Sequence, residues 1–531
     1  PSPARQHLGP FVCSLFCLKT RSAQRGTRRP SSPDRRKMDP PMEEGLDNET
    51  EVTFVKESPE VDGLVQQIKD ALEEGDRGAD GTSTPIAKTV FHKIQEIVER
   101  YQEYPTLLDQ HLERWILPLT SVIRREAYRG SEADMVLVQR ASRALHALAS
   151  VRGYKTVVKF FPHEAKDFEP VVGLLVRSHD VGSLATNMEE ADELGSAWET
   201  RATLILWLSI LVLIPFDLVT VDSQVTTNTG DDGAAMAKGG GQQEAPPVVL
   251  RIIALCQDSY LRDPGIVRDR AAFLLAKLLT RPDMPLALQK FLAWATDALG
   301  GQSEYTEQEK MFIVPGVARA LAAIFKLGKR AELLEVAERL WADARDLADS
   351  PAAKASTLTR KLACKLTQRI GLLFLKPRVV SWRYDRGARS LEDNLKRALV
   401  ISQGGDADAE DRKTAEEQKV AQEEEEEEDW DIPEEIEEVI EALLTALRDK
   451  DTVVRWSAAK GLGRVTARLP AELGDEVVGS ILECFAPTEN DNTWHGACLA
   501  LAELSRRGLL LPVRLPDAVP NVASALAYDV R

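Results

Sequence analysis

The sequence predicts an all-α protein built as a HEAT- or armadillo-like helical-repeat solenoid, an alpha-alpha superhelix in which helix pairs stack side by side. Nearly all of the chain from residue 60 onward reads as helices of ten to twenty residues that break at Pro or Gly, with little strand alternation. One short pattern also occurs twice, and two tryptophans recur at a repeat-like spacing. A helix pair cannot bury its apolar face alone, so such units must stack.

The pattern that occurs twice reads DPGIVRDRAAFLLAKLL at 263–279 and DKDTVVRWSAAKGLGRVT at 449–466. Each copy opens with Asp, continues to a Val-Arg pair and places two adjacent alanines three residues after that Arg. Small residues such as Ala459 allow neighbouring helices to approach closely. We expect the opening Asp residues to cap the helix start, and Arg455 to reach acids in the adjoining turn. The repetition therefore predicts structural repeats.

The C-terminal hundred residues show the helix pairs most clearly. Residues 433–447 carry one apolar stripe at helical spacing, with Pro433 suited to the first turn. Its members are Ile436, Val439, Ile440, Leu443, Leu444 and Leu447. Three further helices follow, and Trp456 and Trp494 occupy matching places in the second helix of two pairs, 38 residues apart. That spacing lies close to the roughly 40–47 residues of HEAT and armadillo units.

Earlier segments fit the same scheme as degenerate repeats. They are 88–123, 133–161, 165–177, 198–218, 247–279, 283–299, 308–327, 330–348 and 352–375. Within them, residues 204–215 read LILWLSILVLIP, a twelve-residue apolar run, whereas a membrane-spanning helix needs about 20 residues. We predict a central helix of the array there and no membrane span.

Composition divides the chain into five regions. They are a basic leader at 1–37, expected to be disordered; an acidic N-terminal segment at 38–59; degenerate repeats at 60–401 with a flexible loop at 222–247; an acidic disordered linker at 402–431; and HEAT repeats at 432–531, cut short at the C-terminus. The leader fits translated upstream sequence or a gene-model artefact better than a targeting signal, with a mitochondrial transit peptide as the alternative. The acidic linker fits a solvated spacer better than a binding tail.

Charge and cysteine content narrow the function classes. Lys and Arg number 67 and Asp and Glu 84, so the formal net charge is −17. This balance argues against nucleic acid or an anionic membrane as the main partner, because binding by counterion release needs clustered cations. The six cysteines are mostly isolated within apolar helical segments, which does not indicate a disulfide framework. Four of them, Cys256, Cys364, Cys484 and Cys498, fit buried thiols in a reducing compartment, with the cytosol as the default.

Catalytic motifs are missing from the sequence. It contains no G-x-S-x-G, no G-x-x-x-x-G-K-[ST] and no H-E-x-x-H. The glycine run at 239–241 lacks the Lys-Ser/Thr that a phosphate-binding loop requires. The seven histidines are scattered, and none pairs with Cys or another His at metal-ligand spacing. We therefore assign no catalytic, cofactor-binding or metal residue and expect no enzyme activity and no cofactor.

A binding surface is the remaining kind of site. The candidate partner-binding residues lie within VVSWRYDRGARSLEDNL and are Trp382, Arg383, Tyr384, Arg386 and Arg389. Aromatic and guanidinium groups of this kind are enriched at interface hot spots. The same residues fit a structural role, in which Trp382 and Tyr384 pack a joint between repeats and the arginines meet neighbouring acids. The sequence leaves both alternatives open.

Several longer stretches resemble the tubulin-folding cofactor D family, in order and approximate spacing, from about residue 60 to residue 531. They are YQEYPTLLDQHLE at 101–113, VRGYK at 151–155, FPHE at 161–164, WETR at 198–201, IPFD at 214–217, TRPD at 280–283, FLKP at 374–377, WRY at 382–384, KDTVVRWSAAKG at 450–461 and WHG at 494–496. The resemblance covers the N-terminal part, roughly half, of the family's chain. The loop at 222–247 and the leader depart from the family's pattern.

This resemblance implies a chaperone rather than an enzyme. Such a protein captures β-tubulin and promotes assembly of the α/β-tubulin heterodimer with cofactors E and C and a small Arf-like GTPase. It contributes to stimulation of tubulin GTP hydrolysis, which makes it a GTPase activator, and it is cytoplasmic and linked to the microtubule cytoskeleton and the centrosome. The alternative is a HEAT scaffold of another class, such as a transport receptor or a phosphatase scaffold, which would share the periodicity but not the specific stretches.

Overall fold

The computed structural model describes residues 54–77, 86–180, 197–223, 245–300, 304–380, 382–384, 430 and 432–528. Contacts divide the chain into residues 1–52 and 53–531, and every described residue belongs to the second unit. The predicted leader, nearly all of the predicted flexible loop and all of the predicted acidic linker except Trp430 lie outside the described residues.

Helices make up most of the described part of the chain, and seventeen of them are nine residues or longer. They are α1 (Ser58–Arg77), α2 (Lys88–Glu99), α3 (Leu112–Arg129), α4 (Met135–Leu148), α5 (Phe168–His179), α6 (Trp198–Leu211), α7 (Pro247–Leu255), α8 (Ile266–Leu279), α9 (Pro285–Leu299), α10 (Glu307–Leu327), α11 (Arg330–Asp346), α12 (Thr357–Phe374), α13 (Glu435–Ala446), α14 (Thr452–Val465), α15 (Ala471–Glu483), α16 (Asp491–Arg507) and α17 (Leu515–Tyr528). No strand occurs in these ranges.

The even-numbered helices from α2 to α16 form one row, in which each helix packs on the next even-numbered helix. The odd-numbered helices lie alongside: α3 packs on α4, α5 on α6, α9 on α10, α11 on α12, α13 on α14 and α15 on α16. This arrangement confirms the predicted all-α helical-repeat solenoid. Because α12 contacts both α13 and α14, the repeats before and after residues 385–429 belong to the same row.

Helix α6 shows how the row hides apolar surface. It contains most of the apolar run at 204–215, and it packs on α4, α5 and α8. Leu204, Ile205, Leu206, Trp207 and Leu208 are all buried, which requires neighbours on every side of the helix. The prediction of a central helix is confirmed. No helix among the described residues is both long enough and apolar enough to cross a membrane.

Arginines tie the ends of successive even-numbered helices together. Arg281, just after α8, donates to the carbonyls of Val212 and Ile214, which follow α6, with N···O distances of 2.6 and 2.9 Å. Arg468, just after α14, donates in the same way to Leu372 in the last turn of α12, at 2.6 Å. A guanidinium suits these places because the last carbonyls of a helix have no partner inside it and carry partial negative charge.

Glycines bring two helices unusually close to the preceding repeat. A Cβ atom added at Gly316 of α10 would lie 2.0 Å from the carbonyl oxygen of Leu261, in the turn before α8. A Cβ atom added at Gly496 of α16 would lie 2.1 Å from the carbonyl oxygen of Leu447, before α14. Both leucines begin the tripeptide Leu-Arg-Asp. The twofold pattern in the sequence therefore marks the turn onto which the next repeat packs.

The acids of that turn do not cap their own helix as predicted. Asp451 occupies the N-cap position of α14, yet its side chain makes no capping hydrogen bond. Instead, Arg360 of α12 donates to Asp449 Oδ2 at 2.7 Å and also to Asp451, whose carboxylate accepts from Thr357 at 2.9 Å. The prediction was wrong because a guanidinium of the preceding repeat competes for the carboxylates and forms stronger, charge-assisted bonds.

Arg455 also has different partners from those predicted. Its guanidinium reaches the adjoining turn but binds the backbone carbonyls of Asp449 and Lys450, at 2.7 and 2.9 Å, rather than the carboxylates. It also donates to Thr452 Oγ1 at 2.9 Å and, across to the next repeat, to Asn492 Oδ1 at 2.7 Å. Arg455 is buried, so it serves as a hydrogen-bonding centre between α14 and α16.

Replacing this centre should be costly. We expect Arg455→Ala to lower the free energy of unfolding by about 3 kcal/mol, because several part-buried acceptors lose their donor at once. The control is Arg339→Ala in α11, whose side chain is 68% exposed and pairs with Glu335 at 3.8 Å. That change should cost less than about 0.5 kcal/mol. Thermal unfolding of both variants measures the difference, and equal losses would contradict the role given to Arg455.

Candidate functional site

The predicted Trp382 cluster lies where the chain leaves α12 and crosses towards the last repeats. Trp382 is half-buried; its indole Nε1 donates to the carbonyl of Leu469 at 3.0 Å, and its ring lies against Gly474 of α15. The backbone N–H of Tyr384 donates to the carbonyl of Gly508, just after α16, at 2.7 Å. Residues 382–384 therefore join the end of α12 to the ends of later helices.

The members of this cluster differ in their surroundings. Trp382 packs in a joint between repeats, whereas the ring of Tyr384 is 55% exposed and Arg383 is exposed. Arg386 and Arg389 lie outside the described residues. The packing alternative thus describes Trp382, and Tyr384 and Arg383 are the described members that a partner can reach. Their role in partner binding stays a prediction.

A second surface, which the sequence reasoning missed, is a group of cations on three consecutive even-numbered helices, here called the basic face. It consists of Arg319 and Lys326 of α10, Lys361, Lys365 and Arg369 of α12, and Lys460, Arg464 and Arg468 of α14 and the turn that follows it. These helices pack on one another in the row. The group stands out because the chain as a whole carries a formal charge of −17.

Helical spacing places these cations on one side of each helix. Lys361, Lys365 and Arg369 are four residues apart, and Lys460, Arg464 and Arg468 repeat the same spacing. Residues four apart lie one above the other on a helix. This signal was visible in the sequence, but only the packing of α12 on α14 brings the two stripes together.

Mutual repulsion and partial burial act on the basic face. Burial, together with repulsion from Arg319 and Arg369, lowers the pKa of Lys365 from its usual 10.5 to about 8. Burial, with repulsion from Arg464 and Arg468, lowers the pKa of Arg369 to about 10. Both shifts mean that the charged forms are unfavourable in the protein alone. The face therefore holds its charge at a cost in stability.

Few acids balance the basic face within the described residues. Lys326, Lys361 and Lys365 form no ion pair within 4.0 Å with any described residue. Arg319 pairs with Asp269 of α8, with Nε and Oδ1 3.2 Å apart. Most of the other cations point at neutral groups, so the face is available to an acidic partner.

Several cations of the basic face contact neutral side chains. Arg464 donates to Gln368 Oε1 at 3.0 Å, and Lys460 Nζ lies over the ring of Trp456 at 3.4 Å. Arg369 Nε is buried, and within the described residues it has no hydrogen-bond partner.

The lowered pKa of Lys365 gives a prediction about stability. A lysine whose pKa is depressed in the folded state destabilises the fold while it is charged, and stability rises as the pH increases from about 8 towards 10.5. We expect Lys365→Met to stabilise the protein at pH 7 by about 1 kcal/mol, a value that allows for screening by water around the half-buried side chain.

Thermal unfolding at pH 7 and at pH 9.5 tests this, and the advantage of Lys365→Met should shrink at the higher pH. Lys354→Met, at an exposed position just before α12, is the control and should change little. A destabilised Lys365→Met would show that the ammonium group is satisfied in the fold.

Metal-binding groups and reactive thiols are scarce in the described part of the chain. No group of three or more His, Cys, Asp or Glu there could hold a metal ion. Cys256, Cys364 and Cys484 are buried free thiols, as predicted, and Cys498 is partly buried. Burial raises the pKa of Cys364 to about 12, so this thiol is held in its unreactive protonated form.

The fold thus defines a helical-repeat solenoid of the HEAT and armadillo class. Two family models match it: "Tubulin-specific chaperone D-like, ARM repeat" over residues 98–299, and "Tubulin-specific chaperone D-like, ARM repeats" over residues 358–531. The chain belongs to this tubulin-specific chaperone D-like family of armadillo-repeat proteins.

Two curated relatives agree with the family models. The "Tubulin-specific chaperone D" of Dictyostelium discoideum is 30% identical in an alignment 556 positions long, which covers 90% of this chain and 36% of the relative. The "Tubulin-folding cofactor D" of Schizosaccharomyces pombe is 23% identical in an alignment 464 positions long, which covers 83% of this chain and 34% of the relative. The chain therefore spans about a third of the length of these relatives.

The structure brings together two of the stretches on which the resemblance rested. Arg281 and Asp283 belong to TRPD, and Ile214 and Phe216 to IPFD. Arg281 donates to the carbonyls of Ile214 and Phe216, each at 2.9 Å, and its Nε lies 2.8 Å from Asp283 Oδ1. These residues therefore hold the end of α6 against the end of α8. Their role in the described structure is to join repeats.

Proposed function

We propose that this chain is the client-binding scaffold of a tubulin-folding cofactor. The observation that carries the proposal is the match of two tubulin-specific chaperone D-like family models, at 98–299 and 358–531, to the two parts of one helical row. The names of the two relatives, a tubulin-specific chaperone and a tubulin-folding cofactor, supply the client. The basic face supplies a surface with an excess of one charge, which favours encounter with an oppositely charged client.

In this proposal the chain captures β-tubulin and promotes its assembly with α-tubulin. It does so together with cofactors E and C and a small Arf-like GTPase, in the cytoplasm and at the microtubule cytoskeleton and the centrosome. Differential binding is the mechanism: the scaffold holds a β-tubulin surface that α-tubulin later covers, and it releases the client when the heterodimer becomes more stable.

Stimulation of tubulin GTP hydrolysis belongs to the same proposal. It requires only that the scaffold position tubulin's own groups, or that it place one guanidinium near the charge that develops during phosphoryl transfer. The chain would then act as a GTPase activator without being an enzyme itself. The Arg-rich basic face and the exposed Arg383 are the described places from which such a group could come.

Gel filtration of the purified chain with tubulin tests the proposal. We expect the two proteins to elute together, and the amount of complex to fall as the salt concentration rises, because the basic face contributes to binding. The same measurement on the chain extended to the length of its relatives shows whether this third of the protein suffices. Separate elution of tubulin from both the short and the extended chains would refute the proposal.

A further inference from the structure

We infer that the basic face of α10, α12 and α14 is a docking site for an extended acidic segment of a separate polypeptide. The inference deepens the proposed function, on which it rests for one point, namely that the acidic segment belongs to the client. It names the surface that binds and the chemistry of its ligand, neither of which follows from the family relationship alone.

The first support is an imbalance of charge. Eight cations, Arg319, Lys326, Lys361, Lys365, Arg369, Lys460, Arg464 and Arg468, occupy three neighbouring helices of a chain whose formal charge is −17. Burial and, to a lesser degree, repulsion from neighbouring cations lower the pKa of Lys326, Lys365, Arg369 and Lys460. A group of like charges that destabilises the free protein is typical of a functional site.

The second support is that cations of the face lack acidic partners. Lys326, Lys361 and Lys365 form no ion pair within 4.0 Å with a described residue, and Arg464 donates to the neutral Gln368 Oε1 at 3.0 Å. Carboxylates suit such a site because they accept two hydrogen bonds from one guanidinium.

The dimensions indicate an extended peptide. Neighbouring packed helices lie about 8–10 Å apart, so α10, α12 and α14 span about 20 Å. An extended peptide rises about 3.3 Å per residue, and a segment of about six residues therefore crosses the three helices. The cations spaced along each helix allow contacts from acids at more than one position of the segment.

Nucleic acid is a poorer fit to this surface. Binding of single-stranded nucleic acid combines a basic groove with aromatic rings on which bases stack. At the edge of the face, Lys460 Nζ lies over Trp456, 3.4 Å from the ring centre, and occupies one side of that ring. The strongly negative formal charge of the whole chain also opposes a polyanion of high charge density.

Fluorescence anisotropy of a labelled deca-glutamate peptide with the full chain tests the site. We expect binding that weakens as sodium chloride rises from 50 to 300 mM, because the contacts are between exposed charges. Lys361→Gln combined with Lys365→Gln should weaken binding roughly tenfold, since each lost charge contact contributes up to about 1 kcal/mol. Thermal unfolding of the same variant verifies that the fold is retained.

The matched control is Lys93→Gln combined with Lys166→Gln. It removes the same charge from lysines that pair with Glu60 of α1 and with Glu164, which precedes α5, in repeats other than those of the basic face. We expect the control to bind the peptide like the unmodified chain. An equal loss in the control, or no binding by the unmodified chain, would overturn the inference.

Two other occupants are outcomes of the same experiment. A labelled single-stranded oligonucleotide of equal charge that binds more tightly than the peptide would reassign the face to nucleic acid. The chain's own run Glu423–Glu428 is the second competitor, and a variant with these six residues changed to Gln tests it. If only that variant binds the peptide, the run itself is the occupant and the inference of a separate partner is wrong.

The peptide result is distinguishable from the test of the proposed function. Elution with tubulin while the peptide fails to bind would remove the docking site and leave the tubulin-folding proposal standing. Peptide binding that depends on Lys361 and Lys365, without any complex with tubulin, would support the site and refute tubulin as the client.

Discussion

Gly316→Ala should destabilise the middle of the array by about 3 kcal/mol or more, a large effect for the addition of one methyl group. The added Cβ would lie 2.0 Å from the carbonyl oxygen of Leu261 and 2.8 Å from its carbonyl carbon, and neither atom can move without moving the turn before α8. Overpacking of a close contact usually costs about 1–3 kcal/mol, and a clash with backbone belongs at the upper end or beyond. Urea unfolding of the purified variant measures the loss.

The control for this prediction is Gly173→Ala in α5. A Cβ atom there would have nothing within 4 Å, and alanine is the better helix former by about 1 kcal/mol. The control should therefore be neutral or stabilising. The free energy of unfolding should fall for Gly316→Ala and should stay the same or rise for Gly173→Ala. A Gly316→Ala protein as stable as the control would mean that α10 and the Leu261 turn are further apart than described.

Ala459→Asp should be the second severe change, with an expected loss of about 4 kcal/mol and unfolding of the repeat around α14. Ala459 is fully buried in a helix that packs on α12, α13 and α16. A carboxylate placed there loses its water, and a buried charge without a partner costs several kcal/mol. Hydrogen exchange, followed by mass spectrometry, should show loss of protection in α14 and its neighbours.

Ala502→Asp is the matched control, because Ala502 is an exposed residue of α16 and the change of side chain is the same. Its new carboxylate would lie one turn before Arg506, an arrangement that is mildly favourable on a helix surface. We expect a change within about 0.5 kcal/mol. A similar loss in both variants would indicate that the helix, rather than burial at Ala459, is sensitive to Asp.

The repeat architecture could be predicted from the sequence because its causes are local. Apolar residues at helical spacing, breaks at Pro or Gly and the repeated Asp–Val-Arg–Ala-Ala pattern each act within one helix pair. The burial of the run at 204–215 also followed from local composition, since a short helix that is apolar on all sides has to be surrounded. The close packing expected of Ala459 rested on the same reasoning, and its full burial agrees with it.

Contacts between repeats could not be predicted, because they join residues far apart in the chain. Asp449 was expected to cap α14, but its carboxylate binds Arg360, which lies 89 residues earlier. Nothing near Gly316 in the sequence points to the carbonyl of Leu261. The basic face was missed for a similar reason. Its stripes of cations are visible within α12 and α14, but they form one surface only because these two helices pack side by side in the row.

The direct packing of α12 on α13 and α14 has an evolutionary consequence. The polypeptide between Tyr384 and Trp430 joins helices that already touch, so its length is not needed to hold the two halves of the row together. The entropy of closing such a connection grows only with the logarithm of its length, at about 0.6 kcal/mol per doubling. This position can therefore accept insertions and deletions with little penalty, and it is a natural place for related proteins to diverge while the row itself is inherited intact.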